Sequence, residues 1–388
     1  HFGSRPPCSI AARDDRILPQ SLAHKSVGRL RESSAESMAP SDATVTCQYG
    51  TGRRGGEPDE KGRSALWQPR GLALTADGSL LVADYSAHCV FRFEASGDLK
   101  GTVAAGEEGK MLPTVDPLKD IDRPTRAPEG DGYLLKRPVD VCANGEGGVF
   151  VLDAESCLVQ RFGATGGAAD VVVPPPGAPP QKSLHTPEAV KNPRALTLAP
   201  DGGLVVTDTW SHRVLHFAPL GGADAHSGPR VLAGLANSCG PQADQLSFPS
   251  CAAFDPEGGL LVADTNNHRV QRFAPGETIG VTVAGSAECR RGAGPAELDM
   301  PTGICVDPRD GSLLVADRCN ARLLRFPRGS RAGDRGEVVA GPGALSRPWG
   351  VCAGPGGEVF VSDERRAVVL RLELEPLGRQ ATPLAPAA

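Results

Sequence analysis

Short apolar runs alternate with glycine- and aspartate-rich turns along most of this chain, and the same pattern returns six times. Each copy starts with a short apolar run after a proline, passes a turn such as TADGS or DPEGG, and continues into a second apolar run such as SLLVAD. A bend follows, and then a third run that ends in Arg-Phe or an equivalent pair. Turn residues between two apolar runs indicate a tight antiparallel hairpin. Every copy therefore predicts three strands.

One aspartate at the end of the second strand aligns the six copies. These repeat aspartates are Asp84, Asp153, Asp208, Asp264, Asp317 and Asp363. A proline stands fifteen residues before each, or sixteen in the fifth copy, at Pro69, Pro138, Pro193, Pro249, Pro301 and Pro348. Internal periodicity of this length is typical of repeat architectures such as propellers.

A fourth apolar run lies between consecutive copies. There are five such runs for six copies, at 101–106, 169–173, 229–234, 281–285 and 336–341. Residues 43–50, ATVTCQYG, precede the first copy and have the pattern of the missing strand. We therefore predict an all-β fold, a six-bladed β-propeller of four-stranded antiparallel blades with its ring closed by the N-terminal strand. Closure removes the exposed edges that an open array would keep.

This interpretation divides the chain into three parts. Residues 43–376 form the propeller, and we expect 1–42 and the tail 377–388 to be disordered because they lack a periodic apolar pattern. Two segments between blades are long. We expect 107–136 to be a surface loop, with a lid over one face as the alternative. The proline-rich 174–187 predicts a semi-rigid loop, with a polyproline II ligand as the alternative.

Composition excludes several classes of protein. The net charge of -5 gives no electrostatic reason to expect nucleic acid, and no apolar run is long enough to span a membrane.

None of the eleven cysteines form a CxxC pair, which excludes zinc-ribbon, RING and thioredoxin motifs. This cysteine pattern favours a soluble intracellular protein. Three cysteines occupy a small-residue position of the first strand and are expected to be buried fillers: Cys142, Cys305 and Cys352. A disulfide between Cys239 and Cys289 is left open.

The repeated pattern PxGIxVDxxGxLxVADxxNHRVxRF resembles the NHL repeat. The resemblance covers all six copies and is most specific in LLVADTNNHRVQRF, 260–273, and LVVTDTWSHRVLHF, 204–217. The second and sixth copies, FVLDAESCLVQRF and FVSDERRAVVLRL, lack the Asn-His-Arg part. The resemblance implies the propeller fold and several functions. Peptidyl-amidoglycolate lyases hold an axial metal through histidines, gluconolactonase-like hydrolases hold a divalent cation, and other NHL proteins recognise protein or RNA.

The repeat aspartates are expected to build the blade rather than an active site. An aspartate at a strand end can accept backbone N–H groups of the following turn. Arginines such as Arg213, Arg269 or Arg322 can pair with a carboxylate nearby. Histidine occurs at the matching place in copies 1, 3 and 4, as His88, His212 and His268. Blades 1 and 3 are not adjacent in a ring, so these imidazoles should not share a metal.

The residues just after each proline should surround the mouth of the central channel. They are Arg70, Val139, Arg194, Ser250, Thr302 and Trp349, with Asp140 beside them. This column is the least uniform of the alignment, as expected for a recognition surface. Two arginines and a tryptophan at one mouth suit an anionic or aromatic group. The alternative is a set of solvated loop residues around an unused channel.

The sequence therefore predicts a non-catalytic scaffold, a monomeric ring that recognises a protein through the loop face around the mouth. No cofactor and no catalytic residue are predicted. None of the eight histidines lies in the mouth column, and no GxSxG motif or phosphate-binding glycine loop is present. The alternative is a metal-dependent lyase or lactonase-type hydrolase with a divalent cation at the axis. RNA binding ranks third, because basic pairs are offset by acidic residues and aromatic residues are few.

Overall fold

The structure, a computed structural model, describes residues 45–55, 59–60, 62–106, 108, 135–145, 147–163, 170–173, 190–222 and 228–375. The predictions for 1–42, 174–187 and 377–388, and for most of 107–136, lie outside these described residues. The described residues belong to one compact unit, Pro40–Ala388. No helix in these ranges is long and apolar enough to cross a membrane.

The described residues form six four-stranded antiparallel sheets, and each sheet is one blade. Blade 1 contains β2 (Pro69–Leu74), β3 (Leu80–Asp84), β4 (Cys89–Phe93) and β5 (Thr102–Gly106). Blade 2 contains β6 (Pro138–Ala143), β7 (Val149–Asp153), β8 (Leu158–Phe162) and β9 (Asp170–Val173). Blade 3 contains β10 (Ala195–Leu198), β11 (Leu204–Asp208), β12 (Arg213–Phe217) and β13 (Arg230–Gly234).

The remaining three blades follow the same order. Blade 4 contains β14 (Cys251–Phe254), β15 (Leu260–Asp264), β16 (Arg269–Phe273) and β17 (Gly280–Gly285). Blade 5 contains β18 (Pro301–Val306), β19 (Leu313–Asp317), β20 (Arg322–Phe326) and β21 (Glu337–Ala340). Blade 6 contains β22 (Pro348–Ala353), β23 (Glu358–Asp363), β24 (Val368–Glu373) and the N-terminal β1 (Val45–Tyr49).

Strand β1 closes the ring, as the sequence predicts. It pairs antiparallel with β24, with Val45 opposite Leu372 and Tyr49 opposite Val369. The buried Tyr49 ring also lies 4.9 Å from the ring of Phe93 in blade 1, measured between centroids. The closing strand therefore completes blade 6 and contributes to the contact with blade 1.

The hydrophobic core lies between the blades because each sheet is apolar on both faces. One cluster, for example, joins Leu81 and Val90 of blade 1 to Val141 and Val149 of blade 2. Burial of these faces requires neighbouring blades, so a single blade would expose its apolar side chains to water.

Each inner strand starts at or near the repeat proline. Four inner strands begin at the proline, but in blades 3 and 4 they begin at Ala195 and Cys251, two residues after it. The intervening mouth residues still pair with the second strand, because the N–H of Arg194 donates to Thr207 and the N–H of Ser250 donates to Ala263. The mouth column therefore keeps its place in all six blades.

Candidate functional site

Three repeat aspartates are buried and paired with arginine. The Nε of the arginine donates to the carboxylate at 2.8 Å in Asp208–Arg213, 2.9 Å in Asp264–Arg269 and 2.8 Å in Asp317–Arg322. In each blade a one-turn 3-10 helix follows the aspartate, at Thr209–Ser211, Thr265–Asn267 and Arg318–Asn320. Burial raises the pKa of Asp264, and the charge of Arg269 opposes that rise.

The other three repeat aspartates are held by the backbone. The residue opposite them is Cys89, Leu158 or Val368, which cannot donate strongly to a carboxylate. Each carboxylate instead accepts four backbone N–H bonds. For Asp84 the donors are Trp67, Gln68, Ser86 and Ala87. The aspartate thus joins the turn after the second strand to the segment that leads into the inner strand.

The motif histidines connect one blade to the next. His212 and His268 have positive φ, 57° and 54°, and their Nδ1 atoms accept the N–H groups of Phe248 and Met300. Burial lowers the pKa of both imidazoles. Their neutral rings therefore serve as backbone acceptors. Within the described ranges, no three His, Cys, Asp or Glu side chains are placed to hold a metal ion.

The six inner strands enclose a cavity of about 370 Å³ on the axis. Six of the seven mouth residues expected from the sequence line it: Val139, Asp140, Arg194, Ser250, Thr302 and Trp349. The seventh, Arg70, stacks on Trp349 with its guanidinium carbon 4.4 Å from the ring centroid. The structure therefore brings all seven together.

Three of these residues have a structural place in the mouth. Val139, Ser250 and Thr302 are buried, as is Trp349. The Ser250 hydroxyl donates to the Thr302 carbonyl at 2.9 Å, and the Thr302 hydroxyl donates to the Pro348 carbonyl at 3.1 Å. These bonds connect the inner strands of blades 4, 5 and 6 and keep that part of the mouth rigid.

Arginines and aromatic rings gather on the other side of the mouth. The guanidinium carbons of Arg194 and Arg318 lie 5.3 and 5.2 Å from the Trp349 centroid, in addition to Arg70. Arg70 also lies 3.7 Å from the centroid of Tyr85. A guanidinium group above the face of an aromatic ring is attracted to that ring electrostatically. We call Arg70, Arg194, Arg318, Trp349, Tyr85 and Glu364 the mouth cluster.

Glu364 is the buried carboxylate of the mouth cluster. It lies 2.7 Å from Arg318, 3.3 Å from Arg347 and 3.5 Å from Arg70, as nearest nitrogen–oxygen distances. Its side chain is 2% exposed. The Glu364 carboxylate therefore lies within ion-pair distance of three guanidinium groups.

Sequence reasoning missed three members of the mouth cluster. Tyr85, Arg318 and Glu364 each follow a repeat aspartate directly. That column reads Tyr85, Ala154, Thr209, Thr265, Arg318 and Glu364. It is as variable as the column after the prolines and faces the same mouth, and this variability is the signal that could have identified it.

Asp140 lies inside the channel and is bonded to the backbone. Its carboxylate accepts the N–H groups of Val141 at 2.9 Å and Leu196 at 2.7 Å. It also packs on Gly71, where an added Cβ would lie 2.4 Å from the Asp140 Cα. Burial raises the pKa of Asp140 to about 7. The carboxyl group therefore titrates near neutral pH.

Four thiols line the same cavity, at Cys142, Cys251, Cys305 and Cys352. Of the three expected buried fillers, Cys142 is buried, whereas Cys305 and Cys352 are half-buried because their side chains form part of the channel wall. Burial raises the pKa of all four, so the thiols are protonated at neutral pH. Cys239 and Cys289 are free thiols, which answers the question about a disulfide.

Sequence comparison identifies the repeat and a set of partial relatives. The NHL repeat family matches residues 66–93, 191–217, 246–273 and 298–326, in blades 1, 3, 4 and 5. Peptidylglycine alpha-amidating monooxygenase of Rattus norvegicus is 31% identical over 138 residues, which cover 34% of this chain and 13% of that protein. Peptidyl-glycine alpha-amidating monooxygenase A of Xenopus laevis is 30% identical over 136 residues, 34% of this chain and 14% of that protein. The chain thus matches a small part of each relative's length.

Solved structures share the architecture at low identity. A protein of unknown function from Bacteroides thetaiotaomicron aligns with a TM-score of 0.55 and 14% identity over 85% of this chain and 76% of its own. A gluconolactonase of Xanthomonas campestris aligns with a TM-score of 0.53 and 15% identity over 79% and 86%. At such identities the likeness concerns the fold alone. The chain is thus a six-bladed β-propeller that contains four NHL repeats, in blades 1, 3, 4 and 5.

Proposed function

We propose that this ring is a non-catalytic scaffold that recognises a protein partner through the loop face around the mouth. The mouth cluster is the observation that carries the proposal. It places three arginines, a tryptophan and a tyrosine at one rigid opening, and these residue types dominate the binding energy of protein interfaces. A rigid site loses little conformational entropy when it binds.

Two exposed tryptophans on the same face extend this surface. The backbone N–H of Trp67 donates to the Asp84 carboxylate, and Trp210 stands two residues after Asp208. All repeat aspartates lie at the mouth end of their blades, so both indole rings belong to the mouth face. Trp67 is 42% exposed and Trp210 is 51% exposed. Large apolar side chains left open to water around a polar opening are typical of interaction surfaces.

The described side chains do not fit an axial metal. The carboxylate of Asp140 is engaged by two backbone N–H groups. Within the described ranges, no three His, Cys, Asp or Glu side chains converge as metal ligands. The Nδ1 atoms of His212 and His268 accept backbone N–H groups of the next blade. These assignments support the scaffold over a metal centre formed by these groups.

A metal-dependent lyase or lactonase-type hydrolase is the second candidate. The similarity to peptidylglycine alpha-amidating monooxygenase over 138 residues favours it. Elemental analysis of the dialysed full chain for calcium, zinc, manganese and iron separates the two. A stoichiometric ion would move this candidate ahead. RNA binding ranks behind both, because guanidinium groups cover the faces of Trp349 and Tyr85 that a base would need.

Photo-cross-linking tests the scaffold directly. A photoreactive phenylalanine analogue replaces Trp210 on the mouth face in one full-length variant and the 62% exposed Val281 on β17 in another. We expect position 210 to capture a partner and position 281 to capture none. Adding Arg194→Ala or Trp349→Ala to the first variant should abolish capture while thermal unfolding remains cooperative. Equal capture from both positions, or capture unaffected by the mouth substitutions, would contradict the proposal.

A further inference from the structure

The charge of the mouth cluster indicates what the partner presents to it. We infer that the cluster binds a side-chain carboxylate of the partner, a glutamate or aspartate that enters the mouth above Trp349 within reach of Arg318 and Arg194. This inference rests on the proposed function and names the chemistry of the partner.

Arg318 and Arg347 bring more positive charge to Glu364 than its single carboxylate can neutralise. Glu364 carries one negative charge and receives Arg70, Arg318 and Arg347. Within the part of the chain that the structure describes, Arg318 and Arg347 form an ion pair with no other carboxylate. Like charges held together in a partly buried site repel one another, so an incoming anion relieves that repulsion.

Arg318 also keeps a donor for an incoming acceptor. Its Nε–H is buried and has no hydrogen-bond acceptor among the described residues, although the Nη2 atom donates to Glu364 at 2.7 Å. A buried donor without an acceptor is unfavourable, and a guanidinium binds a carboxylate best through two parallel N–H bonds. The Nε position is one half of such a pair. The Nε atom is closed to solvent in the free ring, so a ligand carboxylate would satisfy this donor after a shift of the Arg318 side chain.

The size of the mouth and the surface around it favour a protein side-chain carboxylate over a nucleotide. The axial cavity that Arg194 and Trp349 line has a volume of about 370 Å³, near the lower end of ligand pockets, roughly 300–1,000 Å³. It has room for a protruding side chain. The exposed rings of Trp67 and Trp210 offer contacts to the surrounding surface of a protein.

Fluorescence of Trp349 provides the test. The full-length double variant Trp67→Phe/Trp210→Phe retains Trp349 as its sole tryptophan, since the chain has three. The probe is an acetylated and amidated hexapeptide with two central glutamates, and the control peptide has glutamines there. We expect a saturable fluorescence change with the glutamate peptide, weakened by salt, and roughly tenfold weaker binding of the glutamine peptide.

Two further variants assign the effect to the cluster. Arg318→Ala in the same background should weaken binding of the glutamate peptide roughly tenfold. The matched control is Arg161→Ala, which removes an exposed ion pair with Asp170 at the far end of β8 and should leave binding unchanged. Because Arg318→Ala also disturbs Glu364, Glu364→Gln is the decisive variant. Removing the internal competitor should tighten peptide binding by roughly threefold or more even though the free ring becomes less stable.

The results that overturn the inference are distinct from those that overturn the proposed function. Equal binding of the two peptides, weaker peptide binding in Glu364→Gln, or preferential binding of inorganic phosphate or oligouridylate would each reject the carboxylate site. If cross-linking from position 210 still depends on Trp349 in that case, the scaffold stands and only its partner chemistry is wrong. If cross-linking from the mouth also fails, both are rejected.

Discussion

Asp264 and Arg269 face each other at the turn end of the β15–β16 hairpin, and the Arg269 Nε donates to the aspartate at 2.9 Å. The same residue pair recurs in blades 3 and 5. In blades 1, 2 and 6 the arginine is replaced by an apolar residue or cysteine, and the carboxylate accepts four backbone N–H groups instead. The buried repeat aspartate of a blade is thus stabilised in one of two ways. The residue five positions after the aspartate determines which of them applies.

Replacing Arg269 with alanine should destabilise the ring strongly. Asp264 would remain buried without its charge partner, and the carbonyls of Gln242 and Gln245 would lose a donor. Removal of one partner of a buried pair typically costs about 3–5 kcal/mol. Urea unfolding followed by circular dichroism measures the change in free energy.

The matched control for that substitution is Arg290→Ala. Arg290 also pairs with a carboxylate, Glu288, but its side chain is 77% exposed. Its loss should leave the free energy of unfolding nearly unchanged, because an ion pair in water contributes little to stability. Similar losses in the two variants would mean that burial does not govern the Asp264–Arg269 pair.

The left-handed residue at the bend offers a stabilising change. Ala321 has φ 54° and ψ 42° at the end of its one-turn helix. An alanine there is strained, whereas glycine adopts this conformation freely, so Ala321→Gly should raise the free energy of unfolding by up to about 1 kcal/mol. Ala316→Gly, in the buried strand β19, should lower it. A stability loss in both variants, measured by thermal unfolding, would refute the strain argument.

Truncation tests the closing strand. Deleting residues 1–50 removes β1 and with it the Tyr49 ring that packs on Phe93 and Phe360. Loss of a large buried side chain alone costs about 3–5 kcal/mol, and β24 would also become an unpaired edge. We expect a much lower melting temperature and a tendency to aggregate. Deleting residues 1–40 spares β1 and should preserve the melting temperature, so equal melting of the two truncations would reject this closure.

The fold was predictable from sequence because its signals are local and repeated. Proline, turn and aspartate recur at fixed offsets, so six weak patterns reinforce one another, and the upstream ATVTCQYG segment supplied the missing strand. The strands β10 and β14 begin one residue later than the position directly after the proline, where the pattern places them. In those blades the backbone of Arg194 and Ser250 bonds to the second strand before the regular ladder begins, which the sequence pattern does not encode.

The site was predictable only in part. The mouth column of Arg70, Arg194 and Trp349 follows from its place after each proline. The contribution of Arg318 and Glu364 depends on which blades adjoin at the mouth and on how long side chains stack over Trp349. These are long-range contacts, and no spacing within one repeat reports them.

The acidity of Asp140 predicts a pH-dependent stability. Burial raises its pKa from an ordinary 3.8 to about 7, so between these values the folded chain holds a proton that the unfolded chain has lost. The contribution of protonated Asp140 to the free energy of unfolding is fully present below about pH 4. It is lost as pH rises towards 7, by at most about 1.4 kcal/mol per pH unit. Asp140→Asn mimics the neutral carboxyl group, so the variant does not lose this stability as pH rises.

Urea unfolding of the wild type and Asp140→Asn at several pH values checks the sign. The difference in unfolding free energy, variant minus wild type, should increase from pH 4 to pH 7, because all other titrating groups are common to both proteins. A constant difference would show that Asp140 keeps an ordinary pKa in the folded ring.

The pairing of β1 with β24 also determines how the ring responds to force. Val45 pairs with Leu372, so the outward-leading ends of both strands lie at the same end of their ladder. Tension applied through the two flanking segments would load the hydrogen bonds one after another, as in a zipper, rather than all together in shear. The junction that completes the ring thermodynamically is therefore also the place where a mechanical pull would open it first.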